Sequence, residues 1–264
     1  MTETPNEPVV FFVHVMKTGG TTVLQSLLGT YPDGTRFPEA GVDVLIEAKG
    51  SPQHLFNLEA QRQAALRWIC PHVPYSAAAR FREEQSREVP VTLVLRDGLE
   101  RAVSHLKQVA RRFDHAYSYQ QLLDLPLLGE FFFTNHQTRA LGLGESGWEE
   151  WDRCFRELIT LQLHLDAPES SFEVSTVDQE HLDRALAVLP EVDVLGLQDE
   201  FDDWWLRCSK AFGWPTAPAA SVNVGARLEA SDAPPIPDSV IDQLRERNTL
   251  DIQLYAAARE RLKA

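Results

Sequence analysis

Twenty residues near the start of the chain, Val9 to Leu28 (VVFFVHVMKTGGTTVLQSLL), restrict what everything after them can fold into. The β-branched and aromatic run that opens the segment predicts a buried strand. Met16-Lys17-Thr18-Gly19-Gly20-Thr21-Thr22 then interrupts it, and Val23, Leu24, Leu27 and Leu28 return at helical spacing. Strand, glycine turn and helix in that order place the first turn of a helix just beyond a strand end.

Such a turn has a chemical use. Two adjacent glycines bring backbone N–H groups close to a ligand where a Cβ would obstruct them. The helix, expected to start at Thr21 or Thr22, directs its unbonded N–H groups and positive dipole end into the same space. An anion belongs there, above all a phosphate. Lys17 adds a mobile positive charge, and the threonine hydroxyls are placed to cap the helix or bond the ligand. An ATP or GTP loop has the order G-x-x-x-x-G-K-[ST], with lysine after the second glycine. Here the lysine stands two residues before Gly19.

A second strand, Val89 to Leu95, delivers Arg96-Asp97 to its carboxyl end, and Gly98 turns the chain into a helix over Leu99 to Arg112. Ser104 lies on that helix. A guanidinium offers a planar fork of donors, and a hydroxyl can add one short bond to the same partner. Arg101 is left to pair with Glu100, Asp97 or a distant acid. Lys107, Arg111 and Arg112 read as a solvated helix face.

Lys17-Thr18-Gly19-Gly20-Thr21-Thr22 resembles the 5′-phosphosulfate loop of sulfotransferases that use 3′-phosphoadenosine 5′-phosphosulfate (PAPS), most closely the branch of the Golgi carbohydrate sulfotransferases and their bacterial relatives. Arg96-Asp97-Gly98-Leu99-Glu100-Arg101-Ala102-Val103-Ser104 is similar to that family's 3′-phosphate motif, with Gly98 where proline is common. Pro71-His72-Val73-Pro74-Tyr75 is similar to its Gly-His-x-Pro-Tyr stretch, where in some members the histidine is the catalytic base. Asn135-His136-Gln137-Thr138-Arg139-Ala140-Leu141 also resembles a recurring segment, which either lines the acceptor side or stitches its helix to the sheet. Gln198-Asp199-Glu200-Phe201-Asp202 departs from the usual Glu-Arg pair, which puts a basic contact there in doubt. Asn223 to Arg227 sits where relatives close a loop on the nucleotide, and Asn248 to Tyr255 resembles the family's end segment. The likeness runs from residue 9 to about 255.

The resemblance implies a P-loop-like sulfotransferase fold with Lys17, Thr18, Gly19, Gly20, Thr21, Thr22, Arg96, Ser104 and Arg227 on the donor. It implies Lys17 and His72 as catalytic groups, PAPS as donor, 3′-phosphoadenosine 5′-phosphate as product, and no metal. Glu39 and His54 are candidates to border the acceptor, and Glu39 is an alternative base. Two competing readings remain. A nucleotide-kinase type of phosphotransferase would use Asp97 to hold magnesium, against which the lysine's position argues. A catalytically inactive nucleotide-binding protein would have no need of Lys17 and His72.

Composition narrows the partners. At 264 residues, with 44% hydrophobic and 24% charged, the chain is long enough for one α/β domain over 1–264, and the resemblance implies that it has a central parallel sheet with helices on both faces. A net charge of −14 opposes long polyanions, so nucleic acid and heparan-type chains are poor partners. A small or neutral acceptor, whether metabolite, sugar, lipid or natural product, fits better. No apolar run approaches membrane-spanning length. The polar, acidic MTETPNEP start carries no secretory pattern, which gives a cytoplasmic expectation. Cys70, Cys154 and Cys208 are odd in number and widely spaced, as for reduced interior thiols. Oligomeric state leaves no mark.

Along the rest of the chain the pattern predicts a short strand at Val42 to Ile46, a helix at Glu59 to Leu66 and a strand at Trp68 to Cys70. Helices follow at Tyr117 to Leu125, Glu130 to Leu141, Glu149 to Asp166 and Gln179 to Leu189. A strand at Val192 to Leu197, a helix ending at Gly213 and a terminal helix over Asp238 to Lys263 complete the reading.

Overall fold

The computed structural model describes residues 7–38, 51–163, 173–218 and 234–263. β1 (Val10–Val13) runs through the glycine turn into α1 (Gly20–Leu27). β2 (Arg36–Phe37), α2 (Pro52–Phe56), α3 (Ala60–Ala65), β3 (Trp68–Ile69) and α4 (Tyr75–Glu84) follow. β4 (Val91–Leu95) feeds α5 (Gly98–Arg112), and α6 (Tyr119–Asp124), a π-helical turn (Leu127–Phe132), α7 (His136–Gly142), α8 (Trp148–Leu163) and α9 (Gln179–Val188) come next. β5 (Val194–Leu197) leads to α10 (Phe201–Phe212), and α11 (Asp238–Arg247) and α12 (Thr249–Lys263) end the described chain.

The strands form one all-parallel sheet in the order β2-β3-β1-β4-β5, with β1 in the centre. This is the expected α/β architecture. Alternate residues of β1 go to opposite faces: Phe11 and Val13 pack with α4 and α5, whereas Val10 and Phe12 pack with α1 and α10. Both faces are therefore covered, which is why β1 reads as an unbroken apolar run and β4 as one interrupted only by Thr92. Trp204 of α10 lies so close to Gly196 of β5 that a Cβ there would stand 2.3 Å from its ring. Its indole N–H donates to Thr92 and to the Val194 carbonyl. The three cysteines are free and buried, and among the described residues no helix is long and apolar enough to cross a membrane.

The helices that follow neighbouring strands leave on opposite sides. α1, after β1, covers one face, while α4 and α5, after β3 and β4, cover the other. In an open parallel sheet such a divergence opens a crevice beyond the carboxyl ends of the strands. The glycine turn, the loop carrying His72 and Arg96 all leave from those ends.

Two predicted helices are broken, each by an asparagine. The helix expected over Glu130 to Leu141 is interrupted because Asn135 adopts a left-handed conformation (φ 44°). Its side-chain oxygen accepts from the N–H groups of Leu250 and Asp251, the first turn of α12. The terminal helix over Asp238 to Lys263 divides into α11 and α12 at Asn248. The Asn248 side chain donates to the carbonyls of Phe133 and Leu244 and accepts from the Asn135 N–H. Asp251 returns the cap: its carboxylate accepts from Gln137 N–H (3.1 Å) and Thr138 N–H (2.7 Å), the first turn of α7. Each helix start is thus capped by a side chain from the other, a long-range arrangement that local spacing does not encode. Asn135 and Gln137, in the segment whose role the sequence left open, make stitching contacts, the first to the terminal helix and the second to the main chain of Arg96 at the end of β4. The strand expected at Val42 to Ile46 lies outside the described residues, and the short β2 precedes it.

Asp251 also faces Arg101 at 3.7 Å, both side chains fully buried. Burial pulls the Arg101 guanidinium down to about 10 against the opposing influence of Asp251. The nearby His105 and His136 are buried too, and burial first, then the Arg101 charge, holds both well below the usual histidine range.

Replacing Asp251 with alanine strands a buried arginine and uncaps α7. Asp251→Ala is expected to remove about 3–5 kcal/mol of stability, read as a lower urea midpoint. Asn135→Ala, which loses uncharged partners, should remove about 1–3 kcal/mol. The two histidines are neutral in both states above pH ~6.5; below it the unfolded chain takes up protons that the folded protein refuses. Stability should therefore be flat above that value and fall by about 1.4 kcal/mol per pH unit per histidine below it. Urea titrations between pH 7.5 and 5.5 measure the slope.

Candidate functional site

The glycine turn begins at Lys17, itself in a left-handed conformation (φ 70°), and passes through Gly19 at φ 106°. That angle favours glycine, and a Cβ on Gly19 would also stand 2.9 Å from the Phe201 ring. Gly19 is the N-cap of α1, with no side chain capping it, so the helix opens at Gly20, earlier than the threonines suggest. A helix start leaves the amides of Gly20 and Thr21 without an acceptor within the helix, whereas the Thr22 N–H already donates to the Gly19 carbonyl at 2.9 Å. Thr18 is fully buried and its hydroxyl donates to the Val15 carbonyl at 3.0 Å. Its side chain therefore braces the turn, and its backbone alone is left for a ligand. Thr21 is exposed, and Thr22 and Lys17 are half-buried.

Arg96 reaches across to this turn. Its guanidinium lies 3.5 Å from the Lys17 carbonyl and 3.4 Å from the Glu100 carboxylate. The main chain of Arg96 is held by one side chain. The Gln137 amide accepts from Arg96 N–H at 2.9 Å and donates to Arg96 C=O at 2.7 Å. Beyond it, Asp97 caps α5 by accepting from the Glu100 N–H. Gly98 is needed because a Cβ there would be 2.7 Å from the Asp251 side chain and 3.0 Å from the Ile252 backbone nitrogen. Ser104 is half-buried on the second turn of α5. The two sequence motifs, some eighty residues apart, thus meet at one place.

His72 lies between β3 and α4, half-buried. Its Nδ1 donates to the His14 carbonyl at 2.8 Å, which leaves Nε2 as the basic atom of the neutral ring. Trp151 of α8 donates to the His72 carbonyl at 2.9 Å, and Phe155 stacks on the imidazole at 5.9 Å. The ring is thus fixed from both sides, as a general base requires. His14 itself, the residue after β1, lies 3.9 Å from the His72 ring, centroid to centroid.

A cavity of about 510 Å³ opens beside the turn, lined by Gly19, Thr22, Gln198, Glu200, Phe201 and its acidic neighbours. Its size suits a small-molecule ligand. The acid at Asp199 is used internally. It accepts from the Tyr255 hydroxyl at 2.6 Å and pairs with Arg259, which pins α12 beside the sheet. Lys107 and Arg111, expected on a solvated face, instead line a separate cavity of about 320 Å³ with His115 and Tyr119; Arg112 is exposed. His54 is exposed on α2. Arg227 and Glu39 lie outside the described residues.

No protein-family model matches the chain, and a search of curated proteins likewise finds no match. The site's meaning therefore rests on its own geometry. Two residues that the sequence reading passed over belong to it. His14 had one signal, as the only polar side chain in an apolar strand run; Phe201 stood within the Gln198 to Asp202 segment, but its contact with Gly19 is made across the fold and has no local signal.

Gln137→Ala removes both bonds on the Arg96 main chain while leaving the guanidinium in place. It is expected to cost about 1–3 kcal/mol of stability and to speed amide hydrogen exchange at the carboxyl end of β4 and the start of α5. Unchanged exchange there would show that the strand end holds itself.

Proposed function

We propose that the protein is a sulfotransferase that moves a sulfuryl group from PAPS to a hydroxyl of a small or neutral acceptor. The observation that carries this reading is the approach of Arg96 to the Lys17 turn, with His72 joined to that turn through His14. Two anion-binding elements at one strand-end crevice suit a donor with phosphate-type groups at two positions. The 510 Å³ cavity beside Gly19 and Phe201 suits its nucleoside. Carboxylates around that cavity accept N–H and O–H donors of a base and ribose, and repel additional phosphates.

In this reading the amides from Gly19 to Thr22, with Lys17, hold the 5′-phosphosulfate. Arg96 and Ser104 take the 3′-phosphate, with Arg227 as a further candidate ligand. The acceptor oxygen attacks sulfur, its proton passes to His72 Nε2, and the bond from sulfur to the bridging phosphate oxygen breaks. 3′-Phosphoadenosine 5′-phosphate leaves. Lys17 and the turn amides stabilise the charge growing on the bridging oxygen, and alignment of the two reactants supplies much of the rest. The acceptor is a metabolite, sugar, lipid or natural product with a free hydroxyl, and the overall negative charge disfavours polyanionic ones. Three buried free thiols suit a reducing, cytoplasmic setting.

Calorimetry with donor fragments tests the assignment. Wild type should bind 3′-phosphoadenosine 5′-phosphate without magnesium, and Arg96→Ala should weaken it by about 10–100-fold, the loss of a charge-assisted contact. Affinity for adenosine 5′-phosphosulfate, which lacks the 3′-phosphate, should change little in that variant. His72→Ala should retain binding and lose turnover by about 10²–10⁴-fold on an acceptor panel. Failure of the wild type to bind the bisphosphate, or preference for magnesium ATP, overturns the proposal.

A further inference from the structure

His14 stands between the proposed base and the glycine turn. On one side its ring lies 3.9 Å from that of His72, tilted by 33°. On the other its Nε2 presses against Gly20: a Cβ built on that glycine would fall 1.8 Å from Nε2. The imidazole therefore occupies the space a side chain at position 20 would take, next to the open amides of α1. It is only partly shielded from solvent, and Gly20 is the residue that admits it.

The third neighbour bears on which nitrogen carries the hydrogen. Cys70 Sγ lies 3.8 Å from His14 Nδ1. Burial pushes the Cys70 thiol up, so the sulfur keeps a hydrogen that it can donate to Nδ1. A neutral imidazole that accepts at Nδ1 has its hydrogen on Nε2. Burial, and then the neighbouring His72, hold His14 well below the usual histidine range, so the ring stays neutral near pH 7.

We propose that the Nε2–H of His14 is a neutral hydrogen-bond donor to the anion held at the Gly19–Gly20 turn, working beside Lys17 and the turn amides. Under the sulfotransferase reading, on which its catalytic meaning rests, the acceptor atom is an oxygen of the 5′-phosphosulfate. Neutrality suits the position. Two imidazoles at this separation resist double protonation, so a charged His14 would oppose the proton that His72 collects from the acceptor. A neutral donor polarises the leaving phosphate without that opposition, and its contact with Gly20 ties the base to the anion turn.

Nitrogen-15 spectra of the full-length protein test this without relying on turnover. His14 should show the Nε2–H tautomer between pH 6 and 8, and inorganic pyrophosphate should shift that resonance. His14→Phe, which keeps a planar ring and removes the donor, should weaken 3′-phosphoadenosine 5′-phosphate binding by about 10-fold. His14→Gln, which restores an N–H, should recover part of it. The Nδ1–H tautomer in wild type, or pyrophosphate bound with no shift, overturns the inference even if the variants do not fold. A pyrophosphate shift without any binding of the nucleotide would uphold the donor at position 14 and remove the sulfotransferase reading. Nucleotide binding with an unmoved His14 would do the reverse.

Discussion

The buried contact between Arg101 and Asp251 is the constraint from which the site's geometry follows. A guanidinium and a carboxylate without solvent access are tolerated only where further hydrogen bonds meet their remaining demand. Here the reciprocal caps meet the demand of the carboxylate, while the guanidinium has a bond from Nη2 to the Phe132 carbonyl and leaves Nε and Nη1 without one. Asp251 accepts the first amides of α7, Asn135 accepts the first amides of α12, and Asn248 closes the ring. Two helix starts and the root of α5 are thereby locked together. Gln137, on α7, extends the lock to both main-chain groups of Arg96. An arginine at a strand end would otherwise be free to wander; this one is aimed at the Lys17 turn by a chain of buried polar contacts.

The other half of the site is organised by the divergence of helices at the centre of the sheet. Because α1 leaves to one face and α4 and α5 to the other, the ends of β1, β3 and β4 share one crevice. Each supplies a different chemistry: open amides and a lysine from the first, an oriented imidazole from the second, a guanidinium from the third. Lys17, Arg96 and helix-end amides gather donors at one place in a protein of net charge −14, and over such short distances local contacts outweigh a diffuse field. The cavity alongside is lined by acids, which sharpens the contrast.

The sequence was most readable where local and global demands coincide. Val10–Val13 and Val91–Leu95 are strands because short, nearly all-apolar runs suit the interior of a doubly covered sheet. Gly19 announces a turn because few other residues accept its conformation. The reading failed where a residue answers to a distant partner. Asn135 and Asn248 look tolerable within helices, yet both break them, since each satisfies backbone groups more than a hundred positions away. Thr18, read as a ligand by its place in the motif, turns inward to Val15. Asp199, an apparent departure from pattern, is occupied by Tyr255 and Arg259 of α12.

By itself, then, the sequence determined that this is an α/β chain with a buried central strand, an anion-ready glycine turn and an arginine at a second strand end. Those features depend on side-chain period, glycine freedom and helix-end amides, all properties of neighbouring residues. Only the tertiary structure decided that Arg96 meets the Lys17 turn, that His72 is oriented by the His14 carbonyl, and that His14 fills the space left by Gly20. Such contacts are set by how strands align and how helices are capped across the fold, which no local spacing specifies.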